Sequence, residues 1–313
     1  MTTPIILDCD PGHDDALAIM LAVADHAIDL RAVTTVAGNV GLDNTTKNAL
    51  RVLDMVHRPD IPVARGADRP RVRELSTAAA MHGDSGLAGP MPVAPSRAAN
   101  AESAVELMAK TVSESTEPIS LVMTGPQTNG AAFAEAHPDL FGKLKQIVFM
   151  GGAIDLGNWT PAAEFNIWVD PHAADLVLAK AKHAGVPVTM IGLEVTHQAW
   201  LAGEHADALR HRGDCGLFVA EMLDHFVGFH QERFGWPGAP IHDAVTIAHL
   251  IDPTLVTTEF TSVQIELDSP LCIGRTVADR WHVTDCEANC HIGLNIDRDR
   301  FVTLLMDRLV TLT

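Results

Sequence analysis

Tyrosine is absent from the 313 residues, and aromatic side chains of all kinds make up only 5%. No phenol is therefore available to any site. Basic residues are scarce as well: 22 Lys and Arg stand against 40 Asp and Glu, a formal net charge of −18. Such an acidic chain repels phosphate backbones and anionic membranes, which argues against nucleic acid or membrane as partners and favours small neutral or cationic ligands, divalent metals included. Acidity by itself also serves solubility. The five cysteines, Cys9, Cys215, Cys272, Cys286 and Cys290, are odd in number and irregularly spaced, which excludes a secreted disulfide scaffold. Cys286, Cys290 and His291 lie close together, but no second pair at zinc spacing accompanies them. No apolar run reaches membrane-spanning length. Residues 1–4 lead straight into Ile5-Ile6-Leu7 without a basic or apolar leader, so no signal peptide is expected. These absences together predict a soluble, cytoplasmic protein.

What is present is 47% hydrophobic residues, enough for a sizeable core, in an alternating pattern. Short apolar runs at 4–8, 30–36, 119–123, 146–150 and 187–191 read as strands. Amphipathic stretches at 14–25, 44–56, 129–136 and 171–183 read as helices. The alternation predicts an α/β fold: an open, mostly parallel central sheet with helices on both faces. Residues 59–100, rich in Pro, Gly and Arg, read as a long surface excursion. Residues 203–251 read as helical, 255–267 and 291–296 as strands, and 298–310 as a closing helix. Without repeat, low-complexity tract or linker, the expectation is a single domain over 1–313.

Ligands of such sheets bind at the carboxyl ends of the strands, and the segments there hold much of the Asp, Asn and Gly. In Asp8-Cys9-Asp10-Pro11-Gly12-His13-Asp14-Asp15, four carboxylates crowd eight residues directly after a buried strand. Their repulsion demands a cation or protons. Asp14 is suited to capping the next helix, but capping accounts for only one or two of the four. Oxygen ligands without paired Cys or His indicate Ca²⁺ or Mg²⁺ rather than zinc. Asn158, Glu164 and Asn166 are suited to hydrogen-bonding sugar hydroxyls. In Ile241-His242-Asp243, Asp243 reads as a late metal ligand or an N-cap, and His242 as an acid, a base or a core histidine.

These segments resemble the nucleoside hydrolases of the inosine–uridine type. The resemblance rests on DCDPGHDD (Asp8–Asp15), VAGN (Val36–Asn39), MHGDSGL (Met81–Leu87), TGPQTN (Thr124–Asn129), MGG (Met150–Gly152), AEFNIWVDP (Ala163–Pro171) and IHD (Ile241–Asp243), in the family's order. It implies hydrolysis of the N-glycosidic bond of ribonucleosides in nucleoside salvage, with Ca²⁺ as cofactor and assembly as a homodimer or homotetramer. It also implies that Asp10, Asp15, Asp243 and the Thr124 carbonyl bind Ca²⁺. Asp14, Asn39, Asn158, Glu164 and Asn166 would hold ribose hydroxyls, and Met150 would pack under the ring. Asp10 would be the base that activates water, and His242 the acid that protonates the leaving base. His82 and His242 would face that base. The helix 217–234, just before the loop that leads to His242, is expected to line the base pocket through Phe226 and His230, which are four apart and share a face, with Arg233 or Phe234 beside them; the alternative is a core Phe226 and a solvated His230. Gln127 and Gly130 depart from the family pattern, and the missing tyrosine means that the base pocket is built differently from those of relatives that use phenolic groups.

Two other classes compete. Asp8-x-Asp10 after a strand mimics the nucleophile loop of haloacid dehalogenase-type phosphatases, but Gly12 replaces the expected Thr or Val and no lysine-bearing phosphate site follows. A non-catalytic nucleoside- or metal-binding homologue would not need Asp10 and His242 together.

Overall fold

An eight-stranded sheet runs through the computed structural model, which describes residues 2–91 and 93–312. Met1, Pro92 and Thr313, parts of the expected N-terminal run, surface excursion and whole-chain domain, lie outside the described residues. The strands are β1 (Thr3–Cys9), β2 (Ile28–Thr35), β3 (Val63–Arg65), β4 (Ser120–Met123), β5 (Gln146–Met150), β6 (Val188–Ile191), β7 (Val256–Thr261) and β8 (Cys290–Ile296). Their order is β3-β2-β1-β4-β5-β6-β8-β7. All neighbours are parallel except β8 and β7, which close one edge antiparallel.

β1 shows why the sheet forms. From Pro4 to Cys9 every side chain is buried and all but Asp8 are apolar, as expected of a strand covered on both faces. Ile5, Leu7 and Cys9 pack into one core with the helices His13–Ala24, Leu42–Met55, Gly213–Phe234, Ala244–Ile251 and Arg298–Thr311. Ile6 packs into the opposite core with the helices Ala104–Glu114, Thr128–Ala136 and Pro171–Ala184. Each such Ile or Leu contributes roughly 1.5–3 kcal/mol by leaving water.

The order reverses between β1 and β4, the switch point where an open parallel sheet has a crevice. The register Asp8↔Met123 brings the ends of these two strands level. The loop opened by Asp10 therefore lies beside Thr124.

Several local expectations are corrected. Gly12, not Asp14, is the N-cap of His13–Ala24; Asp14 sits in the first turn, and Asp15, three residues past the cap, accepts from the Gly12 N–H at 3.0 Å. Within 59–100 the strand β3 forms at the sheet edge and a short helix forms at Ala79–His82. The stretch 203–251 is three helices, Gly203–Leu209, Gly213–Phe234 and Ala244–Ile251, interrupted by Ala239–Pro240, which pairs with Trp200–Leu201. The Gly235 cap in the left-handed region ends the long helix, and Pro237 and Pro240 keep it from resuming at once. The predicted strand at 255–267 splits into β7 and Val263–Ile265, and the latter leaves the sheet to pair with Thr276–Ala278. Gly213–Phe234 and the loop behind it form one wall of the crevice.

Candidate active site

Asp10, Asp14, Asp15 and Asp243 are all buried at the switch point. Carboxylate oxygens of Asp14, Asp15 and Asp243 lie within 4.8 Å of one another. At that spacing each like-charged pair costs about 3 kcal/mol for an effective dielectric of about 20. Protons or a cation must offset this. Burial, then the neighbouring acids, holds Asp10 and Asp243 well above the carboxylate range and pushes Asp14 up to about 7; burial also raises Asp15.

The donor set fits a hard divalent cation. Asp10 Oδ2 accepts from the Asn39 backbone N–H at 2.6 Å, but its buried Oδ1 has no hydrogen-bond partner among the described residues. The Asp10 carboxylate is held between two glycines: a Cβ at Gly125 would stand 2.6 Å from Oδ1, and one at Gly38 would collide with Oδ2. Asp15 accepts from Thr124 Oγ1 at 2.8 Å and from Asn39 Nδ2 at 3.2 Å. Asp243 stands at the N-cap of Ala244–Ile251 yet makes no capping bond, so its carboxylate stays with the cluster. Asp14 belongs to the tight acidic cluster and also lines the cavity above it, while Asp10 stands beside the cluster, drawn towards Asn39. Asp8, the first of the four acids, is bound elsewhere, accepting from Thr34 Oγ1 at 2.6 Å and Asn129 Nδ2 at 2.8 Å. That bond gives the Asn of TGPQTN its place.

A cavity of about 470 Å³ opens above this floor. Asp14, Asn39, Thr124, Met150, Asn158, Glu164, Asn166, His82, Phe226, His230, His242 and Asp243 all line it; Asp10 and Asp15 lie beneath. Asn166 Nδ2 donates to the Thr124 carbonyl at 2.8 Å and the Met150 carbonyl at 3.3 Å, and its Oδ1 has no partner among the described residues. Glu164 caps the short helix Phe165–Val169, accepting from the N–H groups of Asn166 (2.8 Å), Ile167 (3.1 Å) and Gly152 (2.9 Å). Burial raises its pKa nonetheless. Asn158 Oδ1 accepts from the Phe165 N–H at 3.0 Å, and its amide donors have no partner among the described residues.

The far end of the cavity is aromatic and histidine-rich. Phe226 and His230 share one helix face, with ring centroids 4.6 Å apart. Both are buried, so His230 is not a solvated surface histidine. Its Nδ1–H donates to the Phe226 carbonyl at 2.8 Å. Arg233 and Phe234 lie further along, at the rim. His242 Nδ1 lies 2.7 Å from Thr196 Oγ1. Burial holds both His230 and His242 below the usual imidazole range, so both are neutral near pH 7.

The structure adds residues that sequence reasoning missed. His197 and Trp236 line the cavity, with centroids 5.1 Å apart, and Phe229 and Trp159 join the wall. His197 lies shortly after the end of β6, where ligands of such a sheet bind. Position therefore marked it, although its residue type did not. His13 lies inside DCDPGHDD, where the acids drew attention away from it.

The chain matches the family model for inosine–uridine preferring nucleoside hydrolase over residues 5–303. It is 49% identical over 311 residues to proteins named pyrimidine-specific ribonucleoside hydrolase RihA from Shigella boydii serotype 4 (strain Sb227) and Escherichia coli O9:H4 (strain HS), covering 99% of both chains in each case. Among solved structures it is similar to a purine-preferring ribonucleoside hydrolase from Gardnerella vaginalis (TM-score 0.92, 32% identity) and the plant nucleoside hydrolase PpNRh1 (TM-score 0.91, 32% identity), each covering 99% of both chains. With that coverage, and with an acid-floored, polar-walled cavity at the switch point of the sheet, the chain belongs to the inosine–uridine preferring nucleoside hydrolase family, hydrolases that act on N-glycosyl compounds.

Proposed function

We propose that this protein hydrolyses ribonucleosides to ribose and free base with Ca²⁺ as its cofactor, and that pyrimidine nucleosides are its preferred substrates. The observation that carries the cofactor is the orphaned, buried Oδ1 of Asp10 beside three clustered carboxylates. Asp10, Asp15, Asp243 and the Thr124 carbonyl would hold the ion, with Asp14 close enough to share in it. When bound, the cation offsets the acids' repulsion and makes a water easier to deprotonate. The name of the 49% identical relatives supports the base preference, and the cytoplasm, nucleoside salvage and a homodimer or homotetramer are proposed from the family resemblance. One domain spanning 1–313 would carry the activity.

In this reading Asp10 takes the proton of the attacking water as C1′–N bond cleavage builds positive charge on the ribose. Asp14, the Asn166 carbonyl oxygen and Asn39 hold the 2′- and 3′-hydroxyls. Asn158 and Glu164 hold the 5′-hydroxyl, and Met150 packs under the ring. Glu164 can do so only with the lone pairs its three backbone donors leave over. Thr196 donates its hydroxyl proton to His242 Nδ1, which leaves Nε2–H to donate to the departing base. The base rests among Phe226, His230 and His82. The test is release of ribose from uridine, cytidine and inosine, before and after chelation and Ca²⁺ readdition. Uridine should be hydrolysed faster than inosine, 2′-deoxyuridine much more slowly, and chelation should abolish turnover until Ca²⁺ returns. Undiminished activity in the fully chelated protein would remove the metal from the proposal.

A further inference from the structure

The mechanism above makes no use of His13, although it is buried and its imidazole faces that of His82, Nδ1 to Nδ1, at 3.0 Å. We propose that His13 is a positioning residue that holds His82 as its Nδ1–H tautomer, so that a lone pair on His82 Nε2 faces the cavity as an acceptor for a hydrogen-bond donor of the nucleoside. The inference rests on the reading of His82 as a pocket residue.

The argument follows the protons. His13 Nε2 lies 2.8 Å from the Ala88 carbonyl oxygen. A carbonyl only accepts, so the Nε2 of His13 carries a hydrogen. Among the described residues no carboxylate hydrogen-bonds to His13 that would favour a buried imidazolium, so its Nδ1 bears a lone pair. Two lone pairs facing each other at 3.0 Å repel, so the hydrogen between the rings belongs to His82 Nδ1. The competing contact is the His13 backbone N–H, which points to the same His82 nitrogen from 3.3 Å. It is the longer of the two, and favouring it would set the ring nitrogens against each other. Neutral His82 then has its lone pair on Nε2. That atom makes no hydrogen bond within the described residues and is not sealed from solvent, and His82 lines the cavity.

The surroundings fix this arrangement. The His82 ring rests on the backbone of Gly12: a Cβ there would stand 2.6 Å from its Nδ1 and 2.7 Å from its Cε1. His13 is stacked in turn on Phe226, at 5.0 Å between centroids, and on His225, at 5.3 Å. The carbonyl at the far end of His13 offers no onward proton route. The pair therefore orients His82 rather than relaying protons, as an outer hydrogen-bond partner fixes the tautomer of a working histidine.

The experiment is two-bond ¹H–¹⁵N correlation NMR of the full chain labelled at histidine, with His82 assigned by its disappearance in His82→Gln. Wild type should show His82 Nε2 as the unprotonated nitrogen and Nδ1 as the protonated one. His13→Gln, whose side chain can accept from His82 and donate to Ala88, should keep that pattern. His13→Phe keeps the stack but removes the acceptor; it should shift His82 towards the other tautomer and lower kcat/KM on uridine by about 10- to 100-fold, the usual scale for an outer partner of a working residue. An unprotonated Nδ1 in wild type would overturn the proposal, as would a His82 signal unchanged in His13→Phe. The wild-type spectrum decides even if that variant does not fold. An enzyme with the proposed tautomer but full activity in His13→Phe would keep the orienting contact and remove His82 from the working pocket.

Discussion

The two ends of the cavity are built on opposite principles. At the acidic end, side chains come from loops at the ends of neighbouring strands, from the N-terminus of Ala244–Ile251 and from the capped turn at Glu164. Most are fixed by hydrogen bonds: Asp10 to Asn39, Asp15 to Thr124 and Gly12, Glu164 to three backbone amides. At the aromatic end, one helix and the loop behind it supply Phe226, Phe229, His230, Phe234 and Trp236, which touch mainly ring to ring. Phe234 is 48% exposed, whereas Asp10 is fully buried. Directional bonds on a rigid sheet suit a reaction shared by all ribonucleosides, while non-directional stacking at a rim can be repacked for one base or another. Proteins named pyrimidine-specific and purine-preferring share this fold, so base choice has changed while the architecture has not.

Each prediction strains this contrast. The largest effect should come from Asp10→Asn, which removes the proposed base while keeping shape. Turnover should fall about 100-fold or more on every nucleoside alike, the scale of a lost general base. Ca²⁺ content must be measured alongside; a calcium-loaded variant with near-normal turnover would take Asp10 out of the chemistry. A smaller and uneven effect should follow from His230→Ala. Losing a ring packed on Phe226 and Trp236 should lower kcat/KM for uridine by about tenfold and for inosine by less. Equal losses on both would mean that the two ends do not work independently.

The smallest effect concerns stability, read as a few degrees in Tm. Without the ion, the folded state holds its acids above their ordinary values, Asp14 at about 7 against 3.8, through burial and then Asp15. A raised folded pKa favours the protonated native state. Its contribution is complete below the ordinary value near 3.8 and is lost as pH rises through about 7. The chelated protein should therefore lose stability between those limits. Ca²⁺ binding needs the deprotonated acids and contributes about 3 kcal/mol at a hundredfold excess over Kd. The gap in Tm between loaded and chelated protein should thus be wider near pH 8 than near pH 5.5. A gap independent of pH would show that binding displaces no protons.

Much of this was legible without coordinates, for reasons of range. The strands, their helices and the acid-rich loop are set by neighbours a few residues apart. Solvent periodicity marks a buried run such as Ile5-Ile6-Leu7, and Pro11-Gly12 after Asp10 dictates a turn before the first helix. The sheet rule put Asp10 and Thr124 at strand ends, and the register of β1 and β4 brings those ends level; that Asn166 meets Thr124 came only with the fold. The edge strand β3 escaped because three residues are too few to show a period. The cap at Gly12 escaped because Asp14 has the better capping chemistry but the wrong place in the chain.

By itself, then, the sequence determined the α/β alternation, the family and the clustering of acids at a strand end, since each is written in local pattern. Only the tertiary structure decided which oxygen of Asp10 lacks a partner, that Asp8 turns to Thr34 and Asn129 while Asp14 joins Asp15 and Asp243, and that His13 meets His82 across 69 residues. Those outcomes depend on which backbones approach within hydrogen-bonding distance. That is fixed by packing across the whole sheet, and no local spacing encodes it.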